Sequence, residues 1–488
     1  MDGARKPNLK RRLSGESHSP SKRPTTCSIK PTDPATKPRA SFNDLPEELI
    51  SQIISYLSIE EFKHDDAQST PQQRKHDLEH GLLLREHERQ LRVASLVNLC
   101  RVSTKTRRIT EPFLYECPPN LYPRGRRCRF LRTVAARPDL AARVRYVAYQ
   151  QDRIEEPQRI RDPEVLAVYL QSVRHVRMRN KRLFLTALYS GECDAEWALL
   201  FAFLANVETV RLGVPGPWDK NLRWTLSLLE HSVKEYSTSG TRGPFCALRS
   251  FGVFGFVEVD ISPPLFYHLM KLPSLKELNL QAPFFKDALQ LPTSVKRQSK
   301  VEILQCTEAD LNPYFVAYLL DVCEGLKSFS FEWADVWIEE SVDIVNIHLG
   351  AHRSTLEHVE LSLGDNIAIW EHVVDVRCKV PCLGPFNSFT NLKSLRIDGI
   401  FLTGVPGDLD WNERDRTEPI TLKDLDYAKL ADTFPESLEE LEIHCEGLAI
   451  DEEDSLGIAL LESFQNSQFF DFVQNTQLNR DISLLSNT

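Results

Sequence analysis

Leu272-Pro273-Ser274-Leu275-Lys276-Glu277-Leu278-Asn279-Leu280 is the stretch on which the fold turns. It contains the phrase apolar-x-x-apolar-x-apolar, here Leu275-x-x-Leu278-x-Leu280, and that phrase recurs along the chain. Upstream it reads Val144-x-x-Val147-x-Tyr149, Val207-x-x-Val210-x-Leu212 and Leu248-x-x-Phe251-x-Val253. Downstream it reads Val301-x-x-Leu304-x-Cys306, Leu326-x-x-Phe329-x-Phe331, Leu356-x-x-Val359-x-Leu361, Leu392-x-x-Leu395-x-Ile397 and Leu438-x-x-Leu441-x-Ile443. From Leu248 to Leu326 the starts advance by 27, 26 and 25 residues, and elsewhere the steps lengthen, reaching 46 between Leu392 and Leu438. A fixed phrase with a helix-sized gap predicts a short parallel strand per phrase and a helix or turn returning along the convex side. No single unit buries its own apolar face, so neighbours must stack.

The pattern resembles leucine-rich repeats, and residues 272–278 and 390–395 look like ordinary openings of such repeats. Ala309, Gly364, Ile400 and Glu446 stand where that family has Asn or Cys, so the repeats are degenerate and their number is open. The resemblance implies an α/β solenoid, a leucine-rich-repeat horseshoe with short parallel strands and convex helices, over residues 117–450. The other reading is an ordinary α/β domain with several such strands, which the frequency of the phrase disfavours. Residues 164–178 and 196–204 have helical periodicity and suit the convex side. Residues 451–488 begin with Asp451-Glu452-Glu453-Asp454. Leu456, Leu460, Leu461, Phe464 and Phe472 then predict a capping helix over the exposed solenoid end, followed by a tail.

A second informative stretch lies near the N-terminus, Leu45-Pro46-Glu47-Glu48-Leu49-Ile50-Ser51-Gln52-Ile53-Ile54-Ser55-Tyr56-Leu57. Pro46 suits the first helical position, and Glu47 and Glu48 suit the positive helix end. Leu49, Ile50, Ile53, Ile54 and Leu57 form one broad apolar face. Further on, Leu96, Leu99 and Val102 precede Ser103, an expected N-cap for a short basic helix ending before Pro112. Together these segments resemble the F-box, whose members open with Leu-Pro-x-Glu-Leu and carry a later Val-Ser-x-x-x-Arg-x-Ile segment. A Trp that the family often has near Thr106 is missing, and a charged insert of about residues 63–92 separates the two segments. Fungal F-box proteins resemble this chain in such insertions and in the Pro112-Phe113-Leu114-Tyr115 ending.

The resemblance implies a small all-α module over residues 41–116 that docks on a Skp-type adaptor and, through it, joins a cullin ubiquitin ligase. Its docking residues would be Leu45, Pro46, Leu49, Ile50, Ile53, Ile54, Leu57, Leu96, Leu99 and Val102. The bland reading of the same apolar spacing is a helix face buried in the chain's own core. The insert has too few apolar residues for a core and reads as a solvated loop or an extended polar helix.

Composition narrows the remaining classes. The 488 residues carry a net charge of −10, but residues 1–40 hold ten Lys/Arg and three Asp/Glu, so the rest carries −10 − 7 = −17. Rich in Lys, Ser, Pro and Thr, that basic tail is expected to be disordered. Its clusters Arg5-Lys6, Lys10-Arg11-Arg12 and Lys22-Arg23 fit a nuclear import signal as well as a plain solvated tail. Ser14 follows a basophilic kinase pattern and Ser19 precedes Pro20, so both are candidate phosphosites. A tail without interleaved aromatics on an acidic remainder makes nucleic acid an unlikely partner. The 11 cysteines are odd in number and scattered singly, as in an intracellular protein of the nucleus or cytoplasm. No secretory signal is visible, and the longest apolar run, residues 197–207, is too short for a membrane span of about 20 residues.

No catalytic residues, metal ligands or cofactor motifs emerge: the sequence has no phosphate loop, His-Glu-x-x-His or Gly-x-Ser-x-Gly. Cys378 and Cys382 have no second pair at zinc spacing. The leading function is therefore the substrate-recognition subunit of a cullin–Skp–F-box ligase, with an unknown protein as target. The alternatives are a non-catalytic scaffold acting outside ubiquitin transfer and, behind it, a hydrolase or nucleotide-hydrolysis regulator on a repeat scaffold. Two loops are candidate substrate contacts. Residues 213–218 present Trp218 after a strand phrase, and residues 404–419 hold Asp408, Asp410 and Trp411, an acidic setting for a ring that suits a basic peptide.

Overall fold

The computed structural model describes residues 42–57, 82–118, 124–150, 159–176, 178, 180–214, 223–239, 243–260, 263–284, 297–309, 311–333, 338–363, 383–398, 401–402 and 434–444. The chain divides into a first unit ending at Pro46 and a second running from Glu47. In the first, Phe42–Asp44 forms one 3-10 turn, closed by the Leu45 N–H donating to the Phe42 carbonyl at 3.3 Å. The basic tail with Ser14 and Ser19, residues 63–81 of the insert and the C-terminal capping segment lie outside the described residues.

Among its described residues the second unit opens with three helices, α1 Glu47–Ser55, α2 Leu82–Val102 and α3 Thr104–Glu116. Pro46 stands immediately before α1 rather than at its first helical position. The part of the insert from Leu82 onward is helix α2, the polar-helix alternative of the two readings. Ser103 caps α3 as expected, its Oγ accepting the Thr106 N–H at 3.1 Å. The helix does not stop before Pro112, however, but continues through it to Glu116. Proline removes one i→i−4 hydrogen bond, and the buried side of α3, with Thr106 and Thr110 inside, holds the remaining turns in register.

Helices α4 Arg124–Ala136 and α5 Pro138–Ala141 lead into a sheet that, among the described residues, has nine strands, all parallel and adjacent in chain order. The strands are β1 Tyr146–Gln150, β2 Thr209–Val214, β3 Ser250–Asp260, β4 Glu277–Phe284, β5 Ile303–Ala309, β6 Ser328–Trp333, β7 His358–Ser362, β8 Ser394–Asp398 and β9 Glu440–His444. Every one of the nine phrases supplies one strand. The pairing aligns the phrases without a slip, so Val147, Val210, Phe251, Leu278, Leu304, Phe329, Val359, Leu395 and Leu441 form one row across the sheet. The opening residues of the phrases, from Val144 to Leu438, are all buried. Alternation sends each phrase's apolar side chains to one face, where a one-residue slip would expose the whole set.

The connections carry helices α6 Pro163–His175, α7 Lys181–Ser190, α8 Cys193–Phe201, α9 Arg223–Ser239, α10 Pro263–Leu269, α11 Pro313–Val322 and α12 Ile338–Leu349. Their starts follow local chemistry: Asp162 accepts the Glu164 N–H and Asn312 the Tyr314 N–H, both at 2.9 Å, each followed by Pro at the first helical position. The helix expected over residues 164–178 ends at His175, and that expected over 196–204 begins earlier, at Cys193, and ends at Phe201. Apolar residues from helices and strands join in one core running from Leu131 to Leu438. The architecture is α/β with an all-parallel sheet, compatible with an α/β solenoid.

Candidate functional site

Helix α1 divides the apolar face predicted for it. Ile50 and Ile54, one turn apart, have no exposure at all, and α1 packs on α3. Leu49, Ile53 and Tyr56 point the other way and keep 46%, 43% and 64% of their exposure. Leu49 and Ile53, at i and i+4, lie outward on one side of α1, and Tyr56, in the turn just past Ser55, extends this apolar stripe. Glu47 in the first turn pairs with Arg108 of α3, an exposed contact of about 0–1 kcal/mol that fixes orientation more than it stabilises.

Helix α2 shows the same division. Val93 and Leu96 are buried and Leu99 is half-buried, whereas Leu91 and Val102 are 55% and 53% exposed. Leu57 and Leu45 are half-buried and Pro46 is exposed. Of the predicted docking residues, then, Ile50, Ile54 and Leu96 build the module's interior, and Leu49, Ile53 and Val102 offer apolar surface. Tyr56 and Leu91 share that exposure and were not singled out by sequence reasoning. The signal existed for Tyr56, which follows Leu49 and Ile53 at the helical interval.

The three helices are tied to the sheet. The Arg145 N–H, one residue before β1, donates to the carbonyl of Glu116 at the end of α3 at 2.9 Å. Arg137 reaches Glu111 of α3 at 3.7 Å, and Tyr115 stacks on Phe130 of α4 with ring centroids 5.9 Å apart. Behind this joint lies a buried polar network. Arg127 of α4 donates from Nε and Nη2 to Glu196 of α8 at 2.7 and 2.5 Å, and Tyr169 of α6 donates to the other Glu196 oxygen at 2.8 Å. Burial, then the neighbouring Glu196 charge, pushes the Tyr169 phenol far above its ordinary range, so it stays a proton donor. The guanidinium also lies 5.7 Å from the Trp197 ring centroid.

The outward face of the sheet is polar and cross-linked from strand to strand. Asn279 donates to Gln305 at 3.0 Å, Ser330 to Glu360 at 2.9 Å and Ser394 to Glu440 at 2.8 Å. Arg396 reaches Glu440 at 3.4 Å and Glu442 at 2.9 Å. Just before the strands a row of charged residues crosses the sheet: Arg145, Glu208, Arg249, Lys276, Glu302, Lys327, Glu357, Lys393 and Glu439. Each donates its backbone N–H to the carbonyl of the preceding member at 2.7 or 2.8 Å. Glu302 sits between Lys276 and Lys327, which hold its carboxyl below the usual range, and Lys393 does the same for Glu357. The buried Asp398 carboxylate accepts the Leu363 N–H of the preceding strand's exit at 2.6 Å.

Among the described residues no group of three His, Cys, Asp or Glu is placed to hold a metal, and no helix is long and apolar enough to cross a membrane. Burial alone pushes the Cys323 thiol up to about 12 and the Cys306 thiol higher still, which leaves both unreactive at neutral pH. Trp218, Asp408, Asp410 and Trp411, the candidate substrate contacts, lie outside the described residues, as do Cys378 and Cys382. The arrangement offers docking surfaces: an apolar stripe on α1, and a long polar sheet face joined to it through one hydrogen-bonded and ion-paired junction. Scanned against family models and against curated proteins, the chain matches none.

Proposed function

We propose that this protein is the substrate-recognition subunit of a cullin–Skp–F-box ubiquitin ligase. In this reading the α1–α3 module is the F-box and docks on a Skp-type adaptor, and the nine-stranded region is a degenerate leucine-rich-repeat horseshoe that binds a target protein. The observation that carries the reading is the outward stripe of Leu49 and Ile53, continued by Tyr56 in the turn after the helix, on a helix whose other side, Ile50 and Ile54, is fully buried. A helix that lays an apolar stripe into a partner's groove needs that division of labour, with inner residues to hold it and outer residues to engage. Catalysis would belong to enzymes recruited by the cullin. This chain would hold its target near them and so raise the effective concentration of an acceptor lysine. The Arg145–Glu116 junction supports the same reading, because a fixed joint between module and sheet gives the target a defined position.

The experiment is co-expression of the full chain with a Skp-type adaptor and a cullin, followed by size-exclusion chromatography. Co-elution of all three is the expected result. A chain that elutes alone from a mixture in which adaptor and cullin co-elute contradicts the proposal.

A further inference from the structure

The charged row before the strands alternates in sign at seven of its eight junctions. Arg145 meets Glu208 at 3.1 Å, Lys327 meets Glu302 at 2.8 Å, Lys393 meets Glu357 at 2.8 Å, and Lys276 also pairs with Glu302. The exception is the junction of β3 with β4, where Arg249 stands beside Lys276. The Lys276 N–H donates to the Arg249 carbonyl at 2.7 Å, so the two cationic side chains leave backbones one strand spacing apart, about 4.8 Å. Like charges placed side by side on a sheet oppose its pairing. Arg249 is exposed, and among the described residues no ion pair engages it: Glu208, its neighbour on the other side, is held by Arg145. At this one place the row lacks an anion.

We propose that this step is a docking point for an acidic side chain of a partner protein. A glutamate or aspartate carboxylate seated between Arg249 and Lys276 would restore the alternation that the rest of the row maintains. Charge complementarity is local and selective here. The chain as a whole carries −10, so an acidic partner gains most attraction at Arg249, because the row's other cations each reach a carboxylate within the row, Lys276 and Lys327 sharing Glu302. The inference rests on the sheet register and is independent of the adaptor reading.

The test is fluorescence anisotropy of a labelled decapeptide of alternating Glu and Ser, titrated with the full chain at low ionic strength. Arg249→Gln should weaken binding about two- to fivefold, the worth of one exposed ion pair, whereas Lys393→Gln, removing a cation already paired with Glu357, should leave it unchanged. Urea midpoints of both variants serve as the fold control, and Arg249→Gln should lose no stability, since it relieves a like-charge contact. Equal binding by wild type and Arg249→Gln overturns the proposal. So does an equal loss in both variants, which would mark diffuse attraction rather than a site.

Discussion

Arg127 and Glu196 meet through two hydrogen bonds of 2.7 and 2.5 Å in a place where each keeps only 1% of its side-chain exposure. The pair fastens α4, which leads out of the N-terminal helices, to α8, which leads into the sheet. A buried pair of this kind is costly to break and far less costly to replace. Arg127→Met should therefore destabilise the chain by about 3–5 kcal/mol, because it removes the guanidinium that balances the buried Glu196 charge. Adding Glu196→Leu to that variant should recover most of the loss. Urea midpoints of the single and double variants measure both effects, and a double variant as weak as the single would argue against the pairing.

Two buried groups should give stability opposite slopes with pH. Asp194 accepts the backbone N–H groups of Trp224 and Thr225 at 2.5 and 3.2 Å and the Thr225 hydroxyl at 2.6 Å, which caps α9. Burial outweighs these donors and pushes its carboxyl up to about 7. A raised folded-state value means the folded chain binds more protons, so this contribution is full below about pH 4 and is lost as pH rises toward 7. In Asp194→Asn, unfolding midpoints from pH 4.5 to 7.5 should lack that downward component relative to wild type. His352 is the reverse case. It is buried with Nε2 at 2.9 Å from the Leu320 carbonyl, and burial holds its pKa below the ordinary histidine range. Its contribution is present above about pH 6.5 and is lost as pH falls through the folded value, a component that His352→Gln should remove.

How far the sequence speaks differs between the sheet and the N-terminal helices. Phrases such as Leu275-x-x-Leu278-x-Leu280 carry their own register, because one slipped residue would turn every apolar side chain to water. All nine therefore align as read. The apolar face of residues 49–57 carries no such self-check. Helical spacing tells that Leu49, Ile50, Ile53 and Ile54 lie on one broad side, but only the position of α3 decides that Ile50 and Ile54 turn inward. Pro112 misled for a related reason: a lost hydrogen bond is a local cost, and the packing that outweighs it is not local. The charged row and the Asp398–Leu363 contact were legible in principle, yet single charged residues acquire meaning only once neighbouring strands are laid side by side.

The insert offers a sharper boundary than composition allowed. Helix α2 begins at Leu82, so a deletion through residue 92 would remove its first turns, whereas a deletion of residues 63–81 ends before it. The shorter deletion should leave the unfolding midpoint and adaptor binding nearly unchanged, since it spares all of α1, α2 and α3 and the length of chain between two elements enters closure entropy only logarithmically. Deletion of 63–92 should lower the midpoint. Circular dichroism melts of the two variants, with adaptor pull-downs, distinguish them.

The central claim is that the outward stripe of α1 is the adaptor-docking surface, and the most direct measurement is the affinity of the purified chain for a Skp-type adaptor. Leu49→Ala, Ile53→Ala and Tyr56→Ala should each weaken binding by about 1–2 kcal/mol or more without shifting the unfolding midpoint, because each removes exposed rather than core surface. Leu183→Ala, equally exposed on α7, should change nothing. Combined, the three substitutions should abolish binding in a folded chain. Undiminished affinity in that triple variant would contradict the account.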